Sequence, residues 1–164
     1  MTLRVRPAQP GDDAALLAVD AETWGPHSSP VAPPAPGERP TFFTTERPPE
    51  GFLVAVLEGV VVGFVALHAV PPTPSHDHVL RIDGLGVLPS AQGRGAGRAL
   101  VEAAVDRARS AGAAKVTLAV LGSNGSARRL YERCGFEVEG VLRGEYRLSG
   151  VEVDDVLMAR FLDR

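Results

Sequence analysis

Gln92-Gly93-Arg94-Gly95-Ala96-Gly97-Arg98-Ala99-Leu100 is the stretch on which the fold turns. Three alternating glycines open a helical run that reaches to about Ala111, and the segment ahead of them, Leu80 to Pro89, has the pattern of a strand. Glycine adopts positive φ freely and lets main-chain N–H groups approach a ligand closely. The first turn of a helix adds unpaired N–H groups and a partial positive charge, so strand, glycine turn and helix together make a seat for phosphate oxygens. Arg94 and Arg98, four residues apart, could add cationic contacts to the same anion. The G-x-G-x-x-G dinucleotide fingerprint and the G-x-x-x-x-G-K-[ST] P-loop are both absent. The pattern present is Q-x-x-G-x-G, on Gln92, Gly95 and Gly97.

Upstream, Leu3-Arg4-Val5-Arg6-Pro7 alternates like a first strand, and Gly11-Asp12-Asp13 caps a helical pattern from Ala14 to Thr23. Residues 24–50 then hold eight of the fourteen prolines, which rules out a long helix and marks a loop that acts either as a substrate lid or as cover for the core. Phe52–Glu58 and Val60–His68 flank Glu58-Gly59 as a hairpin of buried strands. His76, Asp77 and His78 are adjacent on the chain, cannot converge on a metal from one strand, and read as a solvated loop. In the fourth strand, Val79 to Leu88, Gly84 and Gly86 follow Asp83 and mark a bulge or a close backbone approach. If alternation is unbroken, Asp83 shares a side with Leu85 and Val87.

Downstream, the helix after the turn puts Leu100, Ala103, Ala104 and Arg107 on one stripe and stops at Gly112. Lys115 to Leu121 is a fifth, buried strand, and Gly122-Ser123-Asn124 turns into a helix over Ser126–Cys134 that ends at Gly135. Asn124, Ala127 and Tyr131 fall on one stripe. Glu139–Arg143, a turn near Ser149-Gly150 and Val151–Phe161 form a last hairpin.

With 164 residues and 45% hydrophobic content, residues 1–164 suit one domain that buries roughly 70% of its unfolded surface. The lone Cys134 leaves no internal disulfide and suits a reducing compartment. Met1-Thr-Leu-Arg-Val-Arg has no apolar signal core and no apolar run spans a bilayer, so a cytoplasmic protein without a membrane partner is expected. A net charge of −3 argues against nucleic acid as a partner.

The Q-x-x-G-x-G pattern is followed, 32 residues beyond Gln92, by N-x-x-A-x-x-x-Y-x-x-x-G-F on Asn124, Ala127, Tyr131, Gly135 and Phe136. Over roughly Phe52 to Leu162 the chain resembles the GNAT superfamily of N-acetyltransferases. The resemblance implies an α/β (α+β) fold: a mixed, mostly antiparallel sheet of six to seven strands with helices on both faces, strands four and five splayed. It implies acetyl-CoA as co-substrate, no metal, and direct transfer of acetyl to a primary amine of a small molecule or peptide in a ternary complex. The main chain of Leu85, Gly86 and Val87 would pair with pantetheine, the amides of Gln92, Gly93, Arg94, Gly95, Ala96, Gly97 and Arg98 would cradle the pyrophosphate, and Asn124 and Ser126 would meet the arm from the other side. Arg98 or Arg129 would meet the outer phosphate, unless they are solvated surface arginines, the reading that suits Arg129 better; a homodimer through the last strands is common in the superfamily.

Tyr131 is the expected general acid, since a phenol is protonated at neutral pH, although a tyrosine packing its helix on the sheet reads the same way. For the base, Asp83 competes with water relayed to Asp83, Glu145 or His68. Glu145 and Tyr146 could instead hold the acceptor's charge. Residues 24–50 depart from the superfamily's usual two-helix substrate region. Two other functions fit the phosphate seat: a non-catalytic CoA-binding sensor or regulatory module, and an anion-binding structural domain.

Overall fold

All six residues of β2 (Phe52–Leu57) are buried, and they divide by parity: Leu53, Ala55 and Leu57 join one apolar cluster, Phe52, Val54 and Val56 another. A strand sends successive side chains to opposite faces, so a strand apolar throughout must be covered twice. In β3 (Val60–His68), Val65 and Leu67 share the first cluster while Phe64 and Ala66 share the second. This is the origin of helices on both faces. The computed structural model describes residues 1–162, so the last two positions of the expected 1–164 domain lie outside the described residues.

The seven-stranded sheet runs β1-β2-β3-β4-β5-β7-β6, with β1 at Leu3–Pro7, β4 at Val79–Val87, β5 at Lys115–Leu121, β6 at Glu137–Leu148 and β7 at Val151–Phe161. Neighbours pair antiparallel except β4 with β5, which are parallel. On the first face lies α2 (Ala96–Ser110), burying Leu100, Val101, Ala104, Val105 and Ala108. Its buried stripe is therefore wider than, and turned from, the expected one: Ala103 and Arg107 sit at its margin, where Arg107 donates to the Glu50 carbonyl oxygen. An all-apolar sheet surface underneath receives the broader face. Tyr131 of α3 (Gly125–Arg133) and the following Cys134 join the same cluster.

The second face is closed by Leu16 and Val19 of α1 (Asp13–Thr23) and by Phe42, which is fully buried. Phe42 meets Phe52 and Phe64 edge-on with ring centroids 5.1 Å away in each case. No helix or strand forms between Trp24 and Pro48, yet the segment is pinned: the Asp13 carboxylate accepts the N–H groups of Phe42 and Phe43, both at 2.9 Å, and Arg39 pairs with Asp20. Its middle thus covers the core. Among the described residues, no helix is long and apolar enough to cross a membrane, and no three His, Cys, Asp or Glu side chains gather as metal ligands.

Candidate active site

Parallel pairing of β4 with β5 lasts three residues, Val79 with Lys115, Leu80 with Val116 and Arg81 with Thr117. Beyond Thr117, β5 continues against β7 alone, while β4 continues against β3. The strands part where β4 is irregular: Leu67 pairs with Ile82 but Val65 with Leu85, so β4 spends three steps where β3 spends two. The extra residue falls at Asp83–Gly84, and a bulge of this kind bends a strand and increases its twist. It also breaks the alternation. Ile82, Leu85 and Val87 join the first-face cluster, whereas Asp83 lines a cleft on the second face beside Phe64 and Ala66, so Asp83 does not share a side with Leu85 and Val87 as unbroken alternation requires.

Along the parted edge runs a cleft of about 740 Å³. One wall is Leu85, Gly86 and Val87, and the next is the glycine turn with the start of α2. Gln92 anchors that turn, its Nε2 donating to the Val87 carbonyl oxygen at 3.2 Å. Gly93 and Gly95 take φ of 74° and 86°, left-handed conformations that only glycine adopts without strain. The Ala99 N–H reaches back to the Gly95 oxygen, and the N–H groups ahead of it, on Ala96, Gly97 and Arg98, belong to the helix's unpaired first turn. Arg98 and Arg133 add positive charge to this wall. Arg94 is exposed and lies outside the lining, as does Arg129. Open amides, a glycine turn and two guanidinium groups fit a diphosphate.

The opposite wall comes from α3 and its cap. The Asn124 Oδ1 accepts the Ala127 N–H and the Ser126 hydroxyl, both at 3.3 Å, and all three residues line the cleft with Leu130 and Arg133. Tyr131 does not. At 100° per residue, Leu130 sits roughly 60° to one side of Ala127 and Tyr131 roughly 40° to the other. The stripe of Asn124, Ala127 and Tyr131 therefore divides, its first two members facing the cleft while the Tyr131 ring packs against Phe136, ring centroids 6.0 Å apart. Burial, with Cys134 nearby, pushes the Tyr131 phenol above its ordinary range, so it stays protonated. The Cys134 thiol is likewise raised, by burial first and the nearby Glu102 carboxylate second, as suits a packing residue rather than a nucleophile.

A second cleft, about 780 Å³, lies on the other face of β4. It shares Thr23, Ser28 and Leu85 with the first, so the two clefts meet at the bulged strand. Asp83 and His68 stand together in it, Asp83 Oδ2 being 3.3 Å from His68 Nε2 while Arg81 Nε lies 3.6 Å from Oδ1. Arg47, Glu46 and Trp24 of the proline-rich segment complete this wall. Glu145 and Tyr146 line neither cleft.

Several lining residues escape sequence inspection. Thr23 and Ser28 reach the junction only because α1 packs over β3 and β4, which no local pattern reveals. Leu130 and Arg133 were within reach, because with Ala127 they form an i, i+3, i+6 row beside the stripe that Tyr131 suggested.

Residues 16–136 match the model of the Acetyltransferase (GNAT) family. The chain is 38% identical over 141 residues to a mycothiol acetyltransferase of Sanguibacter keddieii, an alignment covering 80% of this chain and 42% of that protein. It is 33% identical over 115 residues to the N-alpha-acetyltransferase RimI of Mycobacterium tuberculosis, covering 69% of this chain and 70% of that one. The chain spans less than half the length of the mycothiol acetyltransferases it matches. Its fold superposes on the crystal structure of a Streptococcus mutans UA159 protein with a TM-score of 0.84 at 27% identity, over 98% of this chain and 99% of that one. With most of its length inside the family match and the splayed strands and glycine turn in place, the chain belongs to the GNAT acetyltransferase family.

Proposed function

We propose that the protein is an acetyl-CoA-dependent N-acetyltransferase that joins donor and acceptor in one ternary complex. The observation that carries this is the parting of β4 from β5 after Arg81 and Thr117, beside a glycine turn on the same cleft. Main-chain groups of Leu85 to Val87, released from sheet pairing on that edge, hold an extended amide-bearing arm, and the open amides from Gly93 to Arg98 hold its diphosphate. Asn124 and Ser126 close on the arm from α3, and Arg98 or Arg133 meets an outer phosphate.

Acetyl-CoA supplies the activated acetyl group as a thioester. A strand-four amide near Leu85 donates to the carbonyl oxygen as it gains charge. An acceptor entering from the second cleft arrives at Leu85, where the clefts join, and its nitrogen forms the C–N bond as the C–S bond breaks. An alkylamine with a pKa near 10.4 is neutral in only about one molecule in 2500 at neutral pH, so a base must take its proton. His68 and Asp83, in contact on the acceptor side, receive that proton directly or through water. The Tyr131 hydroxyl returns a proton to the departing sulfur. The acceptor is an amine of a small molecule or a peptide.

Following free thiol release from acetyl-CoA across a panel of amines tests this assignment. Release that depends on the amine, with one acetylated product per thiol, is the expected result. Binding of CoA without any amine-dependent release would make the protein a CoA-binding module instead.

A further inference from the structure

Arg47 sits in the proline-rich segment, half-buried on the wall of the second cleft, with its guanidinium stacked 5.1 Å from the centre of the Phe42 ring and 5.4 Å from that of Phe52. No ion pair or hydrogen bond among the described residues engages that guanidinium; Asp20 and Asp83 act on it only at longer range. Of the other charges around the cleft, Asp20 is paired with Arg39 and Asp83 is held by His68 and Arg81, while the exposed Glu46 forms no ion pair with Arg47 among the described residues. Burial is the largest influence on Arg47 and the nearby Arg39 the next, both lowering its pKa, and Asp20 and Asp83 oppose them only in part, so the site holds a positive charge at a net cost. Guanidinium presents N–H donors in a planar fork that matches a carboxylate in two parallel hydrogen bonds, a geometry that lysine cannot offer. Stacking on two phenylalanines fixes the plane of the fork and leaves its edge for such a partner.

We propose that Arg47 is the carboxylate anchor of the acceptor site, so that the amine acetylated here belongs to a small molecule that also carries a carboxylate, of the amino-acid type. This assignment rests on the transferase reading above and adds to it the class of acceptor. Asp83 with His68 and Arg47 line the same cleft, which receives the amine on the former and the carboxylate on the latter, over a floor of Phe52, Phe64 and Ala66 that suits an apolar side chain. The acceptor's charge thereby completes a pairing that the protein leaves open.

The test uses the twenty L-amino acids, each beside its own carboxamide, which keeps the amine and side chain and removes the carboxylate charge. Ethanolamine and spermidine serve as amines with no carboxylate. For acids that are used, kcat/KM is expected to exceed that of the carboxamide by about tenfold or more, the scale of a charge-assisted pair away from bulk water. In Arg47→Met the acid-to-amide ratio falls toward one, and Arg47→Lys, which keeps the charge and loses the fork, lies between. Thermal shift with the N-acetyl amino acids and their amides, run on all three proteins, reads the same preference without turnover. The inference is overturned if acids and amides are used alike, if the preference survives in Arg47→Met, or if no amino acid is either acetylated or protective while ethanolamine or spermidine is. Absence of thiol release with every amine, set against thermal protection by acids and not by amides in the parent alone, would overturn the transferase reading and leave the anchor standing.

Discussion

Tyr131 illustrates how a single group can be committed to one protonation state by packing. Its ring lies against Phe136 inside the first-face cluster, and burial raises the phenol further above neutrality, so it is protonated at every working pH. No hydrogen bond among the described residues occupies its hydroxyl, which leaves the donor free for a leaving thiolate. Replacing Tyr131 with Phe keeps the packing and removes only that proton. The expected result is a fall in kcat of about 10²–10⁴, the usual scale of general acid catalysis, with acetyl-CoA affinity nearly unchanged because the proton is needed only as the thiolate leaves. Steady-state rates beside equilibrium binding of acetyl-CoA read this directly, and a parental rate would reduce Tyr131 to a packing residue. Residues such as Gln92, Gly93, Gly95 and Asn124 were legible from sequence because their roles are local: a turn with positive φ and a cap. Arg47, Thr23 and Ser28 were not, since each depends on which distant element folds beside it.

At the scale of elements, the bulge in β4 decides which chemistry faces which cleft. Gly86, just past it, is held where no side chain fits: a Cβ there would stand 2.9 Å from Phe64 Cε1 and 2.9 Å from Thr23 Oγ1. α1 and β3 press on that position from the second face, so the strand can yield only toward the open edge facing the donor cleft. Gly86→Val should therefore lower acetyl-CoA affinity by about tenfold or more and cost about 1–3 kcal/mol of stability from overpacking. Calorimetric titration with acetyl-CoA and a melting curve on the same sample separate the effects; wild-type affinity in a folded Gly86→Val protein would show that this part of β4 does not border the donor. The sequence marks such a bulge with two glycines, Gly84 and Gly86, but only the register against β3 puts the extra residue at Asp83–Gly84 and moves Asp83 to the acceptor side. β5, by contrast, was legible to its end residues, because Lys115–Leu121 is a β-branched-rich stretch bounded by turns at Gly112 and Gly122. The buried stripe of α2 was only half legible, since its width depends on the sheet it meets.

Across the whole molecule, stability in acid is set by a few carboxylates whose surroundings oppose one another. Arg6 on β1 donates to both oxygens of Asp12 at 2.8 Å, the Gln9 N–H donates to one of them at 2.8 Å, and Asp12 stands 7% exposed just ahead of α1. The Arg6 hydrogen bonds outweigh burial and hold the Asp12 carboxyl below the usual carboxylate range. A carboxyl lowered in the folded state stabilises the fold above its unfolded pKa, near 4, and loses that contribution as pH falls through the folded value. Asp155 works the other way: burial raises its pKa, so its ionised form weakens the fold at neutral pH and protonation relieves it. The Arg6–Asp12 pair matters to both clefts, because it ties β1 to the start of the helix whose far end, Thr23, borders each of them. Asp12→Asn should cost about 1–3 kcal/mol at neutral pH, the scale of hydrogen bonds to a charged group left unmatched. At roughly 2–4 °C per kcal/mol for a domain of this size, the melting temperature falls by about 2–12 °C. Because the parent has lost the same contribution in acid, the gap between the two melting temperatures should narrow steadily below about pH 4. Asp155→Asn should do the opposite, gaining on the parent as pH rises. Melting curves from pH 7 to pH 2 check both, and a gap between Asp12→Asn and parent that stays constant over that range would show that the charge on Asp12 contributes nothing to holding α1 in place.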